Sequence, residues 1–217
     1  MLEYFEMFWK YMPMLLAGLR LTLVIAFFGI FIAIVLGIIL CIFSISNIKI
    51  LEKIANFYVT VVRGIPLMIL ALFLYFGVIK NSMGTNSAAV IILAINASAY
   101  MAEIFRAGVQ AIDYGQTEAA RSLGLSYFQT MRKIILPQAI KIMIPSLMNQ
   151  AISSLKDTAI LSAITVNELT LTAKVIIARN YKAFELYSYA AIIYLIVIVF
   201  LTYLSKRVEH KLNYTQR

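Results

Sequence analysis

Cysteine, histidine and tryptophan each occur once in 217 residues, and acidic side chains number only 10. A single cysteine excludes an internal disulfide. Cys41 lies in an apolar run, where a small packed or lipid-facing residue is expected rather than a reactive thiol. The one histidine, His210, sits in a charged tail and reads as solvated. No Cys/His cluster has metal-ligand spacing, so no metal site is expected. Stretches rich in Pro, Gly or Ser are absent, as are internal repeats, so no separate soluble domain or linker is expected. The chain holds no G-x4-G-K-[ST] phosphate loop, which argues against nucleotide hydrolysis by this chain itself. Its first residues carry Glu3 and Glu6 rather than a basic start, and no small-residue cleavage site follows, so no secretory signal peptide is expected.

What is present in excess is apolar surface. Hydrophobic residues make up 62% of the chain and charged ones 13%, with a mean hydropathy of +0.88. A soluble domain is nearer half apolar and about a quarter charged. The bilayer is therefore the expected solvent, and membrane lipid the expected surroundings. At 1.5 Å per residue, a hydrocarbon core about 30 Å thick needs about 20 apolar residues per span. Five segments meet or approach this: residues 15–43, 54–79, 88–109, 134–155 and 186–204. Residues 1–12 mix Tyr4, Phe5, Phe8 and Trp9 with Glu3, Glu6 and Lys10, as an interfacial helix does. An odd number of spans does not divide into the matched inverted halves of many secondary transporters.

The formal charge of +9 sits mostly in short loops between apolar runs, a topology signal rather than a nucleic-acid surface. One set of loops carries Lys49, Lys53, Arg106, Arg121, Arg132, Lys133, Lys141, Lys206, Arg207, Lys211 and Arg217. The other carries Lys10, Lys80, Lys174, Arg179 and Lys182. Because basic loops stay inside, the first set is expected in the cytoplasm, with the N-terminus outside and the C-terminus inside. The outer stretch 157–181 is long. Its apolar centre, Ile160 to Ile164, predicts a partly embedded or surface helix.

Residues 114–133 form a polar, basic loop between apolar runs. Glu118-Ala119-Ala120-Arg121-Ser122-Leu123 is good helix-forming sequence, and Gly124 is a natural stop. Thr117 is a plausible N-cap, and Glu118 then suits the helix dipole. A second helix is expected from Tyr127 to Ile135, ending near Leu136-Pro137. The whole is a bent element with small Ala119 and Ala120 open to close approach by another protein.

Charges inside spans are costly, about 2.5–3.5 kcal/mol at mid-bilayer, and so mark candidate function. Arg63 is followed by Gly64 and Pro66, where a kink frees backbone groups beside a cation. A carboxylate suits that combination; snorkelling, or pairing with Glu103, is the structural alternative. Asn96, Ala99 and Glu103 share a helix face, with Ser98 beside them. Glu103 is placed either to meet a substrate ammonium or to pair with Arg106 or Arg63. Lys156 and Asp157 close the fourth span, as part of an external gate or substrate surface or as an interfacial anchor. Gly29, Ala33 and Gly37 form a small-residue face for close helix packing.

The pattern E-A-A-x3-G-x9-I-x-L-P, complete from Glu118 to Pro137, resembles the cytoplasmic coupling loop of membrane subunits of bacterial ABC importers. Residues 96–108 and Arg63-Gly64-Ile65-Pro66 resemble the polar amino-acid branch of that family, Leu155 to Thr158 resemble the family's L-K-[DE]-[ST] stretch, and the likeness spans most of the chain. Ile65 and Leu70 depart from the branch, where Thr and Gln are common. The resemblance implies an all-α permease of type I importer fold, with five transmembrane helices, an interfacial helix and a coupling helix. It implies that Glu118 to Leu125 dock in a cleft of a separate ATPase subunit, which would hold ATP and Mg. It also implies an ATPase dimer, a second identical or homologous permease chain and an external solute-binding protein as partners. An amino acid would be the cargo, and no cofactor would sit in this chain. The rival reading is a membrane scaffold or sensor that has kept the coupling loop without transport.

Overall fold

A computed structural model describes the backbone of residues 2–80 and 82–214 and the side chains of residues 6–80 and 82–211. The expectations for the side chains of Glu3, Tyr4, Phe5 and Arg217 lie outside the described residues. The elements among the described residues are all helical: α1 (Leu2–Ser44), α2 (Lys49–Gly64), α3 (Leu67–Leu74, running on into a π turn, Tyr75–Ile79), α4 (Thr85–Gln110) and α5 (Tyr114–Ser122). There follow α6 (Tyr127–Thr130), a π turn (Met131–Ile135), α7 (Leu136–Asp157), a 3-10 turn (Thr158–Ile164), α8 (Leu169–Asn180) and α9 (Ala183–Tyr214).

Among the described residues, three helices are long and apolar enough to cross a membrane unbroken: Glu6–Ser44, Thr85–Gln110 and Ala183–Lys211. Two further stretches pass as bent pairs. Lys49–Gly64 with Leu67–Ile79 turns by 107°, and Tyr127–Ile164 with Leu169–Asn180 by 45°. Five apolar crossings were expected, and the count reaches five when each bent pair is one crossing. The second is far from a single kinked rod. Pro66 has no N–H to donate, and the residue before a proline is pushed out of the helical region. Ile65 accordingly adopts φ −103°, ψ 129°, and the chain restarts at Leu67 in a new direction.

A separate helix over 1–12 does not form. Among the described residues α1 runs unbroken through Pro13. Gly18, shortly after Pro13, does not end the helix either; α1 runs on to Ser44. Met7, Phe8, Tyr11 and Met12 instead pack against α8 and α9, with Phe8 edge-on to Tyr189 at 5.4 Å. This end of the helix is held by protein contacts as well as by any interface.

α4 is the central helix. Its apolar window is 61% buried, against 28% for α1 and 22% for α9. Phe27, Phe28 and Phe31 of α1 and Leu195, Ile196 and Phe200 of α9 point outward, as lipid contact requires. α1 and α4 meet along Gly29, Ala33 and Gly37, so the small-residue face packs within this chain. A Cβ at Gly37 would lie 2.9 Å from the Met101 Cβ and 3.2 Å from the Ala102 nitrogen. Gly37→Leu is therefore expected to destabilise the bundle by roughly 1–3 kcal/mol. The check is a melting curve in detergent; an unchanged midpoint refutes close packing at this seam.

The stretch expected to hold one embedded helix contains two elements, the buried 3-10 turn and α8. Glu168, fully buried, caps α8: its carboxylate accepts from the backbone N–H of Leu171 (2.7 Å) and Thr170 (2.9 Å) and from the Tyr194 hydroxyl (2.9 Å). Thr22 of α1 accepts from the Leu169 N–H at 3.1 Å. The segment of the 3-10 turn and α8 is thereby fastened to α1 and α9.

Candidate coupling surface and intramembrane cleft

Local chemistry builds the loop after α4 into a rigid corner. α5 starts at Tyr114, capped by Asp113, whose carboxylate accepts from the Gly115 N–H at 2.7 Å. The expected start at Thr117 is thus corrected. Asp113 supplies an equally good cap one turn earlier, and Glu118 falls mid-helix, away from the dipole's positive end. α5 stops at Gly124, as its sequence predicts. Gly124 has φ +83°, the Leu125 N–H donates to the Ala120 carbonyl at 3.2 Å, and the Gly124 N–H donates to the Arg121 carbonyl at 3.0 Å. These two bonds define a Schellman C-cap, for which glycine is the natural residue. Arg121 Nη1 adds a bond to the Leu125 carbonyl at 3.2 Å. Ser126 and Gln129 then start α6 with a reciprocal capping box, at 3.2 and 2.8 Å.

The second helix does not end at Leu136-Pro137. It passes through the π turn into α7, with the Leu136 N–H donating to the Met131 carbonyl five residues back. Pro137 falls in the first turn of α7, directly after the π turn, and its missing N–H leaves one carbonyl of that turn without its backbone donor. The corner is thus continuous with the bundle.

Of the residues expected to dock, Glu118, Ala119, Arg121, Ser122, Leu123 and Gly124 are exposed, Leu125 is half-buried and Ala120 is buried. Leu123 is 84% exposed on an otherwise polar loop, and Tyr114, Tyr127 and Phe128 add further apolar surface beside it. The aromatic residues were missed in the sequence, although Tyr127-Phe128 in a polar loop is itself a sign of contact.

The second site lies at the break between α2 and α3. A cleft of about 480 Å³ is lined by Arg63, Gly64, Ile65, Pro66 and Leu67 at the break. Asn96 and Tyr100 of α4 and Gln150, Ser153 and Asp157 of α7 complete it. This volume suits a small ligand, for which roughly 300–1,000 Å³ is usual. Arg63 is partly exposed and lies over the Tyr100 ring at 5.2 Å. It approaches Glu103 only at 3.4 Å, whereas Arg106 holds both Glu103 oxygens, at 3.0 and 3.1 Å. Glu103 is thus committed chiefly to Arg106, its neighbour one turn along α4. Arg63 keeps donors available toward the cleft. A Cβ at Gly64 would meet nothing among the described residues within 4 Å, so that backbone is open.

The structure therefore brings Arg63, Gly64, Asn96 and Asp157 to one cavity, with Glu103 behind Arg63. Ser98 and Lys156 do not join them. Ser98 is buried against Tyr58, the two hydroxyls 2.8 Å apart and each within hydrogen-bond reach of the Ile95 carbonyl. Lys156 is exposed and does not line this cavity. Tyr100, Gln150 and Ser153 were not singled out in the sequence. Tyr100 follows Asn96 by one helical turn, and Gln150, Ser153 and Asp157 recur at helical spacing, which is the pattern that marks them.

Comparisons with known proteins agree on one family. The description "Binding-protein-dependent transport system inner membrane component" matches residues 33–212. The arginine transport system permease protein ArtQ of Bacillus subtilis (strain 168) is 38% identical over 205 residues, 93% of each chain. The glutamine transport system permease protein GlnP of Escherichia coli (strain K12) is 36% identical over 209 residues, 94% of this chain and 95% of that one. Among solved structures, an amino acid ABC transporter crystallised with histidines superposes with a TM-score of 0.88 at 40% identity, covering 93% of this chain and 95% of that one. The MetNI methionine ABC transporter, in an inward-facing form, shares the fold at a TM-score of 0.72 and 22% identity, covering 95% and 98%.

Proposed function

We infer the function from the fact that this chain belongs to the family of binding-protein-dependent transport system inner membrane components: it is the permease subunit of an ATP-driven importer that moves polar amino acids across the cytoplasmic membrane. The cleft at the α2–α3 break carries the substrate class. Arg63 and the unbonded N–H groups at the start of α3 suit a carboxylate. Asp157, on the same cavity, suits an ammonium, and Asn96, Tyr100 and Gln150 supply neutral hydrogen-bonding groups between them. A free amino acid carries both charges close together. Relatives named for arginine and glutamine transport support the same class.

No covalent chemistry is assigned to this chain. ATP and Mg belong to a separate dimer of ATPase subunits, whose cleft receives the corner from Tyr114 to Phe128. A second permease chain, identical or homologous, completes the membrane unit, and an extracellular or periplasmic solute-binding protein delivers the cargo. ATP binding closes the ATPases and displaces the corner. The bundle opens outward to accept substrate, and hydrolysis resets it. The thermodynamic requirement is that ATP and substrate bind the two bundle arrangements with different affinity. The rival, a scaffold or sensor without transport, leaves the open cleft without a purpose.

Two experiments test this reading. In proteoliposomes holding the permease, its ATPase and its binding protein, radiolabelled amino acids screened singly are expected to accumulate with ATP. ATP turnover without accumulation of any of them overturns the reading in favour of the scaffold. For orientation, single cysteines at Ser82 and Ser122 are placed in a Cys41→Ala chain. An impermeant thiol reagent on intact cells is expected to label position 82 and spare position 122. Labelling at position 122 instead puts the corner outside and ends the coupling role.

A further inference from the structure

We propose that the side-chain amides of Gln116 and Gln138 form a strut that makes α5 and the transmembrane part of α7 move as one body. The proposal rests on the coupling role given to α5 above. The two side chains bond reciprocally: Gln138 Nε2 donates to Gln116 Oε1 at 2.6 Å, and Gln116 Nε2 donates to Gln138 Oε1 at 3.3 Å. Gln138 Nε2 also donates to the Ile134 carbonyl at 2.9 Å. Among the described residues, this is the one side-chain hydrogen-bonded link between α5 and a transmembrane helix.

Its position gives it a mechanical meaning. The chain path from α5 to α7 runs through Gly124, the short α6, the π turn Met131–Ile135 and Pro137. The last two are compliant points: a widened turn of the kind found at functional sites, and a residue that donates no backbone bond. A push on α5 carried along that path alone would bend the π turn before it moved α7. The amide pair bypasses both. It joins the first turns of α5 directly to the first turn of α7, beyond the weak segment. α7 carries Gln150, Ser153 and Asp157 further along, so the displaced helix is the one that lines the cleft. Two neutral amides suit such a link, because each offers a donor and an acceptor and the pair carries no net charge to a partner's surface.

Gln116 and Gln138 are positioning residues, so uptake per ATP hydrolysed is the proper readout. In proteoliposomes with the ATPase and binding protein, Gln116→Leu and Gln138→Leu are each expected to lower that ratio about fivefold, the factor that roughly 1 kcal/mol for a hydrogen bond represents. ATP turnover should continue, because the docking surface is intact. The double variant Q116E/Q138K, which replaces the amides with an ion pair, is expected to restore the ratio toward the unaltered chain. A merely structural loss would lower uptake and turnover together and would not be rescued. Should the leucine variants melt early, Gln116→Asn and Gln138→Asn, each one methylene short, are measured by the same ratio. An unchanged ratio in the single variants, or a double variant no better than they are, overturns the strut while leaving the importer reading intact. An unaltered complex that hydrolyses ATP without accumulating amino acid overturns both.

Discussion

Gly124→Val is expected to abolish ATP-driven uptake, at least a tenfold loss, while the permease still folds. At φ +83° a residue with a Cβ pays roughly 1–2 kcal/mol, more when β-branched. The Schellman cap would then be traded for another ending, and Ala119, Arg121 and Leu123 would lose the orientation that the proposed docking on an ATPase subunit uses. Because nothing among the described residues lies within 4 Å of an added Cβ, the fold has room for the substitution. The harm falls on the backbone and on the partner that approaches it. Gly124→Asn separates the two, since asparagine tolerates the left-handed region. Retention of uptake in Asn but not in Val assigns the requirement to backbone geometry. Loss in both assigns it to a docking cleft with no space for a side chain. Full uptake in both, in proteoliposomes with matched protein amounts, ends the coupling role of this corner.

Arg63→Ala carries the second large effect. Loss of a charge-assisted hydrogen bond to a carboxylate costs about 1.5–3 kcal/mol, or roughly 10- to 150-fold in substrate affinity. Stability should change little, because the Arg63–Glu103 contact at 3.4 Å is partly exposed and Glu103 keeps both bonds to Arg106. Arg63→Lys should fall between, keeping the charge but losing the planar fork that matches a carboxylate. The measurement is the concentration dependence of uptake, with a melting curve as control for folding. A substrate half-saturation unchanged in Arg63→Ala would remove Arg63 from the path and favour its structural role beside Glu103.

Much of this arrangement was legible in the order of residues. Lengths of apolar sequence mark the crossings, since the bilayer sets a minimum that short-range composition reports directly. The corner at Gly124 was legible for a similar reason: a helix stop and a left-handed turn are decided within a few residues. The start of α5 was missed because two good caps, Asp113 and Thr117, compete four residues apart. The helix over 1–12 was set apart because its aromatic and charged residues fit an interface equally well. Its contact with Tyr189 joins residues from opposite ends of the chain.

Sequence alone thus determined that the chain is a bundle of membrane-length helices with a bent polar element between the third and fourth apolar segments. Both follow from local rules, namely the cost of apolar surface in water and the conformational range of glycine and proline. Only the tertiary structure decided which polar side chains share a cavity. Arg63, Asn96 and Asp157 come from three separate helices, and Ser98, two residues from Asn96, is turned away to Tyr58. The fastening of Leu169 to Thr22 spans 147 residues. Such partnerships depend on how helices rotate to bury their faces against one another, a choice that is made by all of them together.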